Sequence, residues 1–385
     1  MDFLVFSDDW GEHPSSAQHL FRQIAKDHRV LWVNTVGMRV PKPTLVDAAK
    51  SIRKLRRMLS SKLPSVLDDI TQSSLQLTVV QPPMVPLPGS DIARRFNDWS
   101  GRRTVRRWMN KLHMRKPVVV TTVPNVCGVV GDVGASVIAY YCVDDFARWP
   151  GSNFDAVRSM ERCLVKKSDV IFATSERLYD SLRTFGVDTY LLEHGVDLET
   201  FGAPPGAPHQ ALEGLPRPRA GFFGLIDERL DQELIGEIAR LLPEWTFVLA
   251  GPRVTDIRSL KVFDNIRMLG ALPYDQLPQF VDGVDVLILP YRINELTNTI
   301  SPLKINEYLA TGLPVVASPL LELRRKSSWV RLAQGPHEWK MTLCAVLHDS
   351  KVDRRNAILP MLQRHSWEQR ATFLIETVRD RARWA

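Results

Sequence analysis

Residues Ser301–Ser318 read SPLKINEYLATGLPVVAS, and this order of residues predicts a helix that runs directly into a strand. The first half carries apolar Tyr308 and Leu309 among polar side chains, as a helix with one buried face does. Thr311-Gly312 follows, and glycine is the usual residue just beyond a helix end. The β-branched pair Val315-Val316, which comes after a proline, then predicts a buried strand.

A second buried strand, DVLILPY (Asp285–Tyr291), precedes this helix. Two buried strands joined by a helix are typical of a βαβ unit in a parallel sheet. Ligands of such sheets bind beyond the carboxyl ends of the strands, beside helix N-termini. Ser301, Lys304 and Glu307 fall at such a position. A lysine near a helix N-terminus suits a phosphate, and a glutamate one turn later suits sugar hydroxyls.

The composition, with 44% hydrophobic and 24% charged residues, is that of an ordinary soluble globular protein. At 385 residues the chain is long for one core, so we expect two domains. No apolar run reaches the ~20 residues that cross a bilayer. The N-terminus lacks the basic start and long apolar stretch of a signal peptide. The four cysteines show no CxxC spacing, which favours reduced thiols over a disulfide framework or a zinc site.

Strand and helix patterns alternate in two halves of the chain. The predicted strands of the first half are Asp2–Phe6, Val30–Val33, Leu75–Val80, Pro117–Thr122, Val137–Val143, Val170–Thr174 and Tyr190–Leu192. Those of the second half include Ala220–Gly224, Trp245–Ala250 and Ile266–Leu269. A stretch rich in proline and glycine separates the halves and is typical of a linker. We therefore expect domains at 1–201 and 219–365, a linker at 202–218, and a closing helix at 366–385.

Positive charge is concentrated between Lys42 and Lys116, where 16 Lys and Arg stand against 5 Asp in a chain of net charge +7. In segment 50–63 an apolar helix face (Ile52, Leu55, Met58, Leu59, Leu63) is surrounded by cations; segment 91–116 adds Phe96, Trp99, Trp108, Met109 and Leu112 to further cations. Basic, amphipathic and aromatic segments favour docking on an anionic membrane face. Alternatively, the apolar stripes pack on the core and only the cations are exposed. No pattern typical of nucleic-acid binding is present, so we expect no nucleic acid partner.

Four motifs give the second half a family resemblance: His194-Gly195-Val196-Asp197 with Phe201 downstream, Gly224–Arg229 (GLIDER), Leu249-Ala250-Gly251, and Pro302–Val316 (PLKINEYLATGLPVV). With these motifs the chain resembles the GT-B glycosyltransferases of group 1, of the family 4-like kind. The first half, with DDWGEHPSSAQHL, resembles bacterial polysaccharide and teichuronic-acid-type members more loosely. The resemblance implies two Rossmann-like, doubly wound α/β domains that face a cleft. The second would hold a nucleotide sugar and the first the acceptor, and the last helix would cross back onto the first.

One position departs from the family pattern. The Glu-x7-Glu pair of the group ends at Glu307, and its first member would fall at Thr299. That glutamate normally contacts the donor sugar in retaining enzymes. The inverting or retaining outcome and the identity of the sugar therefore stay open, and Glu295 could substitute only through a rearranged loop.

On the donor side, the resemblance implies that Lys304 and Arg229 stabilise the leaving diphosphate. Gly224 would let the backbone approach the phosphates, Tyr291 would stack on the base, and Ser301 and Glu307 would contact the donor. Glu307 would accept hydrogen bonds from the ribose hydroxyls. Each residue also has an ordinary alternative. Arg229 could be a surface arginine paired with Asp231 or Glu228, and Tyr291 a core or rim aromatic. Lys304 could be a solvated helix lysine, and Glu307 could only complement the helix dipole.

On the acceptor side, Asp144 and Asp145 follow the predicted strand Val137–Val143, where a carboxylate can take a proton from a hydroxyl. Related inverting enzymes place an aspartate base at this strand end, which Asp144 matches best. The alternative for Asp144 is a helix cap or a loop residue. Asp9, His13 and Ser16 lie after the first strand and are candidate acceptor contacts. No cluster has the spacing of a metal site, so no metal is expected.

These observations predict a glycosyltransferase (hexosyltransferase-like, EC 2.4) that acts at the cytoplasmic face of the membrane, to which it is peripherally attached. It would move a sugar from a UDP- or GDP-linked donor to a lipid-linked or polysaccharide acceptor. A nucleotide-sugar 2-epimerase of the same fold and a degenerate, non-catalytic nucleotide-sugar-binding protein are the alternatives.

Overall fold

The computed structural model describes residues 1–11, 15–38, 75–87, 89–203, 206–349 and 351–384. The chain divides into two compact units, one formed by Met1–Glu193 with Trp367–Ala385 and the other by His194–Ser366. The division at Glu193 comes before the proline-rich segment that the sequence suggested as linker. The last helix belongs to the first unit.

The first unit contains one parallel sheet of strand order β3-β2-β1-β4-β5-β6-β7. Its strands are β1 (Asp2–Ser7), β2 (Arg29–Asn34), β3 (Leu77–Val80), β4 (Val118–Thr121), β5 (Val137–Cys142), β6 (Val170–Ala173) and β7 (Thr189–Leu191). They agree with the predicted strands to within a few residues at each end. Buried β-branched and aromatic side chains fill the inner strands, as expected for a sheet that is covered on both faces, whereas the edge strands β3 and β7 are mostly half-buried.

Several helices of the first unit follow polar residues whose side chains cap the helix N-terminus. Ser15 caps the first helix by accepting a hydrogen bond from the Gln18 backbone N–H, and Asn153 does the same for the Ala156 N–H. The helices are α1 (Ser16–Asp27), α2 (Asp91–Lys111), α3 (Cys127–Val130), α4 (Phe154–Val165), α5 (Glu176–Leu182) and the closing helix α13 (Trp367–Trp384). Short 3₁₀ turns lie at Pro124–Val126, Phe146–Arg148 and Arg183–Phe185.

The second unit repeats the same sheet order, β10-β9-β8-β11-β12-β13, with all pairs parallel. Its strands are β8 (Arg219–Phe223), β9 (Thr246–Ala250), β10 (Ile266–Gly270), β11 (Val286–Leu289), β12 (Val315–Ala317) and β13 (Arg331–Leu332). Its helices are α6 (Leu198–Phe201), α7 (Gln232–Leu241), α8 (Leu277–Asp282), α9 (Lys304–Ala310), α10 (Leu321–Arg324), α11 (Gly335–Val346) and α12 (Lys351–Arg364), with 3₁₀ turns at Gln210–Leu212 and Tyr274–Gln276.

The predicted βαβ unit is confirmed. Helix α9 lies between strands β11 and β12, which pair in parallel through Leu287 and Val315. Gly312 follows the helix with a φ of +76°, a left-handed conformation that glycine adopts without strain.

The apolar stripe that the sequence suggested for segment 91–116 is divided in the structure. Met109 is buried in the core of the first unit, and Trp108 and Leu112 pack against that core. Phe96 and Trp99 are exposed. Packing on the core, one of the two alternatives, is therefore found for Trp108, Met109 and Leu112, whereas Phe96 and Trp99 lie on the surface. The basic segment 50–63 lies outside the described residues. No described helix is both long enough and apolar enough to span a bilayer.

Candidate functional site

Three elements of the second unit place the predicted donor residues together. Strands β8 and β11 are neighbours, paired through Ala220 and Val286, so their carboxyl ends lie at the same edge of the sheet. Gly224 directly follows β8, Tyr291 follows β11, and Lys304 opens α9. This edge is where open parallel sheets bind ligands.

The Lys304 ammonium lies among aromatic and backbone groups rather than in open solvent. Its Nζ donates a hydrogen bond of 2.9 Å to the hydroxyl of Tyr291. It also lies 4.9 Å from the ring centre of Phe222 and 5.4 Å from that of Tyr291, which are cation–π distances. The cation is thus held in a defined place, which suits a group that must meet a phosphate.

Gly224 is required by this arrangement. It has a φ of +138°, and a Cβ atom built on it would lie 2.3 Å from Lys304 Nζ. Gly251, at the end of the neighbouring strand β9, approaches closely too, since its Cβ would lie 1.8 Å from the carbonyl oxygen of Gly224. The lack of a Cβ at Gly224 therefore allows the Lys304 ammonium to approach the backbone, and the lack of one at Gly251 allows the two strand ends to approach each other.

Arg229 brings a second cation to the same ring. Its guanidinium carbon lies 5.7 Å from the centre of Tyr291. Its Nη2 and Nε atoms donate to the two carboxylate oxygens of Asp227 at 2.7 and 3.0 Å, and Asp227 is almost fully buried. The sequence suggested Asp231 or Glu228 as ordinary partners, but the fork fits Asp227. A bidentate pair fixes the guanidinium plane, which a single contact would not.

The sequence left two interpretations of Tyr291 open, stacking on the base or a core or rim aromatic, and its surroundings are those of the second. The ring is buried, its hydroxyl contacts Lys304, and both cations lie over it. A ring covered in this way positions two charges and offers little face for stacking on a base.

Glu307, one turn beyond Lys304, is a buried carboxyl with 6% exposure. The hydroxyl of Tyr274 donates to its Oε1 at 3.3 Å and lies 3.5 Å from Oδ2 of Asp197. Burial raises the pKa of Glu307 to about 7, although Lys304 and the Tyr274 hydroxyl both lower it. Burial and the two carboxylates raise the pKa of Tyr274. Glu307 is therefore poised between its two protonation states near neutral pH.

Asp197 and Tyr274 are additions that sequence reasoning did not assign to the site. Asp197 also caps helix α6 by accepting a hydrogen bond from the Thr200 N–H at 3.0 Å. The motif His194–Asp197 was a signal for Asp197. Tyr274 offered none, because it lies in a 3₁₀ turn far from Glu307 in sequence.

Two buried residues of α9 attach the helix to its surroundings. Asn306 donates from Nδ2 to the carbonyl of His194 at 2.8 Å. The hydroxyl of Tyr308 bonds to both the N–H and the carbonyl of Phe223, each at 3.1 Å. The helix that carries Lys304 and Glu307 is thus fixed to the end of β8.

Thr299 and Ser301 are both buried on the approach to α9. The Thr299 hydroxyl donates to the carbonyl of Leu296 at 2.6 Å, so this residue stabilises its own loop. Glu295, the nearest glutamate in sequence, is exposed.

In the first unit, the two aspartates after β5 differ. Asp145 is buried and forms ion pairs with Arg158 at 2.6 Å and Arg148 at 3.1 Å. Asp144 is partly exposed, and its Oδ1 accepts a hydrogen bond from the Asp145 N–H at 2.8 Å. Asp145 thus has a structural environment, while Asp144 reaches the surface at the strand end.

The loop after β1, which contains the candidate acceptor contact Asp9, is organised by the neighbouring Asp8. The Asp8 carboxylate accepts hydrogen bonds from Ser7 at 2.7 Å, Gln18 at 2.9 Å and Ser15 at 3.1 Å. Burial raises the pKa of Asp8 despite these bonds. Asp9 is partly exposed, and Ser16 is buried at the start of α1. His13 lies outside the described residues.

Among the residues that the structure describes, no group of three or more histidine, cysteine, aspartate or glutamate side chains has the geometry of a metal site.

Comparison with known proteins agrees with these observations. Residues 217–349 match the family "Glycosyl transferases group 1". The chain is 31% identical over 173 residues to a putative teichuronic acid biosynthesis glycosyltransferase, TuaH, of Bacillus subtilis (strain 168). That alignment covers 43% of this chain and 44% of the relative. The chain therefore spans less than half of the length of this relative.

Solved structures resemble the chain over nearly its whole length. The Anabaena protein Alr3699/HepE in complex with UDP and glucose aligns with 99% of this chain and 100% of its own, at a TM-score of 0.67 and 14% identity. The sucrose-phosphate synthase (tll1590) from Thermosynechococcus elongatus aligns over 98% of both chains, at a TM-score of 0.68 and 14% identity. At these identities the likeness concerns the fold, and it confirms two Rossmann-like domains of GT-B type.

Proposed function

We propose that this chain, whose residues 217–349 match the glycosyl transferases of group 1, moves a sugar from a nucleotide-sugar donor to an acceptor. One observation carries the proposal. Two cations, Lys304 and Arg229, lie over the buried ring of Tyr291 at the sheet edge where ligands bind. Gly224 lies beside them, and its lack of a side chain leaves the backbone accessible.

The chemistry needs positive charge at this place. As the bond between the sugar and the diphosphate breaks, negative charge develops on the leaving diphosphate. Fixed cations that meet this charge stabilise the transition state more than the ground state, and so lower the barrier. Lys304 and Arg229 take this role, and Tyr291 and Asp227 hold them in position. Because the two side chains supply the charge, we expect no metal requirement.

The remaining donor contacts follow from position. Gly224 lets the phosphates approach the backbone, and Ser301 contacts the donor before α9. Glu307 accepts hydrogen bonds from the ribose hydroxyls in its ionised form. Burial raises the pKa of Glu307, and hydrogen bonds from two ribose hydroxyls would lower it again by stabilising the carboxylate.

On the acceptor side, we assign Asp144 as the base of an inverting reaction. It accepts the proton of the acceptor hydroxyl as that oxygen bonds to the sugar carbon and the diphosphate leaves. Its exposure at the end of β5 supports the assignment, while buried Asp145 is occupied by two arginines. Asp9, His13 and Ser16 are the proposed acceptor contacts.

The donor is UDP- or GDP-linked, and the acceptor is a lipid-linked sugar or a growing polysaccharide at the cytoplasmic face of the membrane. The bound UDP and glucose of the Anabaena protein support the donor class. The name of the Bacillus relative, which refers to teichuronic acid biosynthesis, supports the acceptor class.

The test is Lys304→Ala, measured by release of nucleoside diphosphate and by thermal shift with a panel of nucleotide sugars. We expect transfer to fall by at least about 100-fold, because one preorganised charge is lost, while the melting temperature without ligand stays near the wild-type value. Exposed Lys340→Ala is the matched control. Turnover at the wild-type rate in Lys304→Ala would refute the proposal. Conversion of the donor without acceptor would identify an epimerase instead, and binding without turnover a degenerate binding protein.

A further inference from the structure

Helix α2 of the first unit has one face that is exposed along most of its length. Its members recur at helical spacing and are Ile92, Arg95, Phe96, Trp99, Arg103, Arg106 and Arg107, all of them exposed. We call this set the outer face of α2. The opposite side contributes Val105 and Met109 to the core.

The outer face is mostly apolar in the N-terminal half of the helix. Ile92, Phe96 and Trp99 are 83%, 40% and 56% exposed, and the rings of Phe96 and Trp99 lie 6.0 Å apart. Single exposed apolar residues are ordinary, but three on one helix face form a contiguous patch. Phe96 and Trp99 belong to the stripe suggested by the sequence, and Ile92 joins them on the surface. The other three members of that stripe, Trp108, Met109 and Leu112, pack in or against the core.

The same face is basic in the C-terminal half of the helix. Arg103, Arg106 and Arg107 follow the patch, and the Arg103 guanidinium lies 5.8 Å from the centre of Trp99. The outer face has no acidic member, since Asp91 lies to one side, where it pairs with Arg94 at 2.8 Å. From Ile92 to Arg107 the face extends along roughly 20 Å of helix.

We propose that the outer face of α2 docks on an anionic lipid leaflet, with Ile92, Phe96 and Trp99 among the acyl chains and the arginines at the headgroup phosphates. Aromatic and aliphatic side chains beside cations are what an interfacial helix requires. The arginines alone would suit any polyanion, but the exposed apolar patch gains free energy only in an apolar medium. This inference deepens the proposed function and rests on it for the identity of the acceptor, which a docked enzyme would find in the same leaflet.

The experiment is flotation of the full chain with three kinds of vesicle: phosphatidylcholine alone, phosphatidylcholine with phosphatidylglycerol, and phosphatidylcholine with cardiolipin. Wild-type protein is expected to float with the two anionic mixtures and to remain behind with the first. The apolar variant Ile92→Ser/Phe96→Ser/Trp99→Ser should lose binding at low and at high salt. The basic variant Arg103→Gln/Arg106→Gln/Arg107→Gln should bind on the order of 100-fold more weakly to anionic vesicles.

Matched controls come from the second unit. Val262→Ser/Met341→Ser/Val352→Ser removes three apolar side chains that are 75%, 73% and 66% exposed. Arg258→Gln/Lys261→Gln/Arg267→Gln removes three exposed cations. Both should float like the wild type. If the apolar variant of α2 floats as well as the wild type, or if the wild type prefers polyuridylate or polyglutamate to anionic vesicles, the docking proposal is wrong.

Failure of docking and failure of the proposed function are separable. The α2 variants should keep the thermal shift that a nucleotide sugar gives in the absence of vesicles, because their substitutions lie in the other unit from Lys304. Conversely, Lys304→Ala should float like the wild type. Normal turnover in Lys304→Ala would refute the enzyme assignment and leave vesicle binding as an independent result.

Discussion

The carboxyl of Glu307 links the stability of this protein to pH. Its pKa is about 7 in the folded chain, against an ordinary value of 4.5. Below the lower value both states are protonated, and between the two values only the unfolded chain ionises. The free energy of unfolding therefore falls as pH rises through this window, by roughly 2–3 kcal/mol from this group.

Replacing this carboxyl removes that dependence. In Glu307→Gln, the loss of stability between pH 4.5 and pH 7 should be smaller than in the wild type by that amount. Urea unfolding at a series of pH values measures it, with exposed Glu233→Gln as control. Parallel curves for wild type and Glu307→Gln would show that the carboxyl ionises in the folded protein as it does in water.

A substitution at Gly224 tests whether nucleotide-sugar binding depends on the position of the Lys304 ammonium and not only on its presence. A Cβ here meets Lys304 Nζ at 2.3 Å, and the flexible lysine can move away at little cost to folding. Gly224→Ala should therefore weaken nucleotide-sugar binding by about 10-fold or more, the equivalent of one lost charge-assisted hydrogen bond.

The control for this change is Gly186→Ala. Gly186 also has a positive φ, +74°, but its Cβ would meet no atom within 4 Å. Both variants should lose about 1 kcal/mol of stability to backbone strain, measured by urea unfolding. Isothermal titration with UDP-glucose and GDP-mannose then compares binding. Equal affinity in the two variants would contradict the placement of Lys304 at the phosphates.

Among the secondary-structure elements, α9 depends on one hydroxyl for its attachment to β8. Tyr308 bonds to both backbone groups of Phe223, and removal leaves these buried groups without that partner. Tyr308→Phe should cost about 1–3 kcal/mol. Tyr190→Phe, at a half-buried tyrosine whose ring packs on Phe172 and Phe373, is the control and should cost less. Unfolding midpoints in urea that are equal for the two variants would show that α9 is held by packing alone.

The same elements show what the sequence could predict. The helix, glycine and strand of Ser301–Ser318 were predictable, because each rests on local spacing and conformational preference. The side-chain partners in the site were not. Asp227, two residues before Arg229, pairs with it because of how the loop after β8 folds, and Tyr274 reaches Glu307 from another part of the chain.

Helix α2 shows a second limit. Its apolar residues surround the helix, so their spacing alone did not indicate which of them face the core. The contacts of Val105 and Met109 determine this, and they place Ile92 on the exposed side. The membrane proposal accordingly keeps Phe96 and Trp99 from the sequence-based stripe, adds Ile92, and leaves out the residues that face the core.

The two sheets of the molecule share one strand topology. Both sheets reverse their strand order between the first strand and the one beside it, at β1 and β4 in one unit and at β8 and β11 in the other. Such switch points are where doubly wound sheets bind ligands. Gly224, Tyr291 and Lys304 lie at the second of these, and Ser7, before the Asp8 loop, contacts Thr122 across the first at 2.7 Å. This shared position supports a donor site in one unit and an acceptor site in the other.

The closing helix α13 makes the first unit depend on both ends of the chain. Leu374 is fully buried, Phe373 packs on Phe172 and Tyr190, and Trp367 stacks on His19. Leu374→Ala should therefore cost about 2–5 kcal/mol and raise hydrogen exchange in residues 1–193 while leaving 194–366 protected. Leu287→Ala, at an equally buried position in β11, is the reciprocal variant and should raise exchange in the second unit. Mass spectrometry of peptides from both variants distinguishes the cases. Exchange that rises equally throughout the chain in both would mean that the two units unfold as one and that the division into separate cores has no thermodynamic meaning.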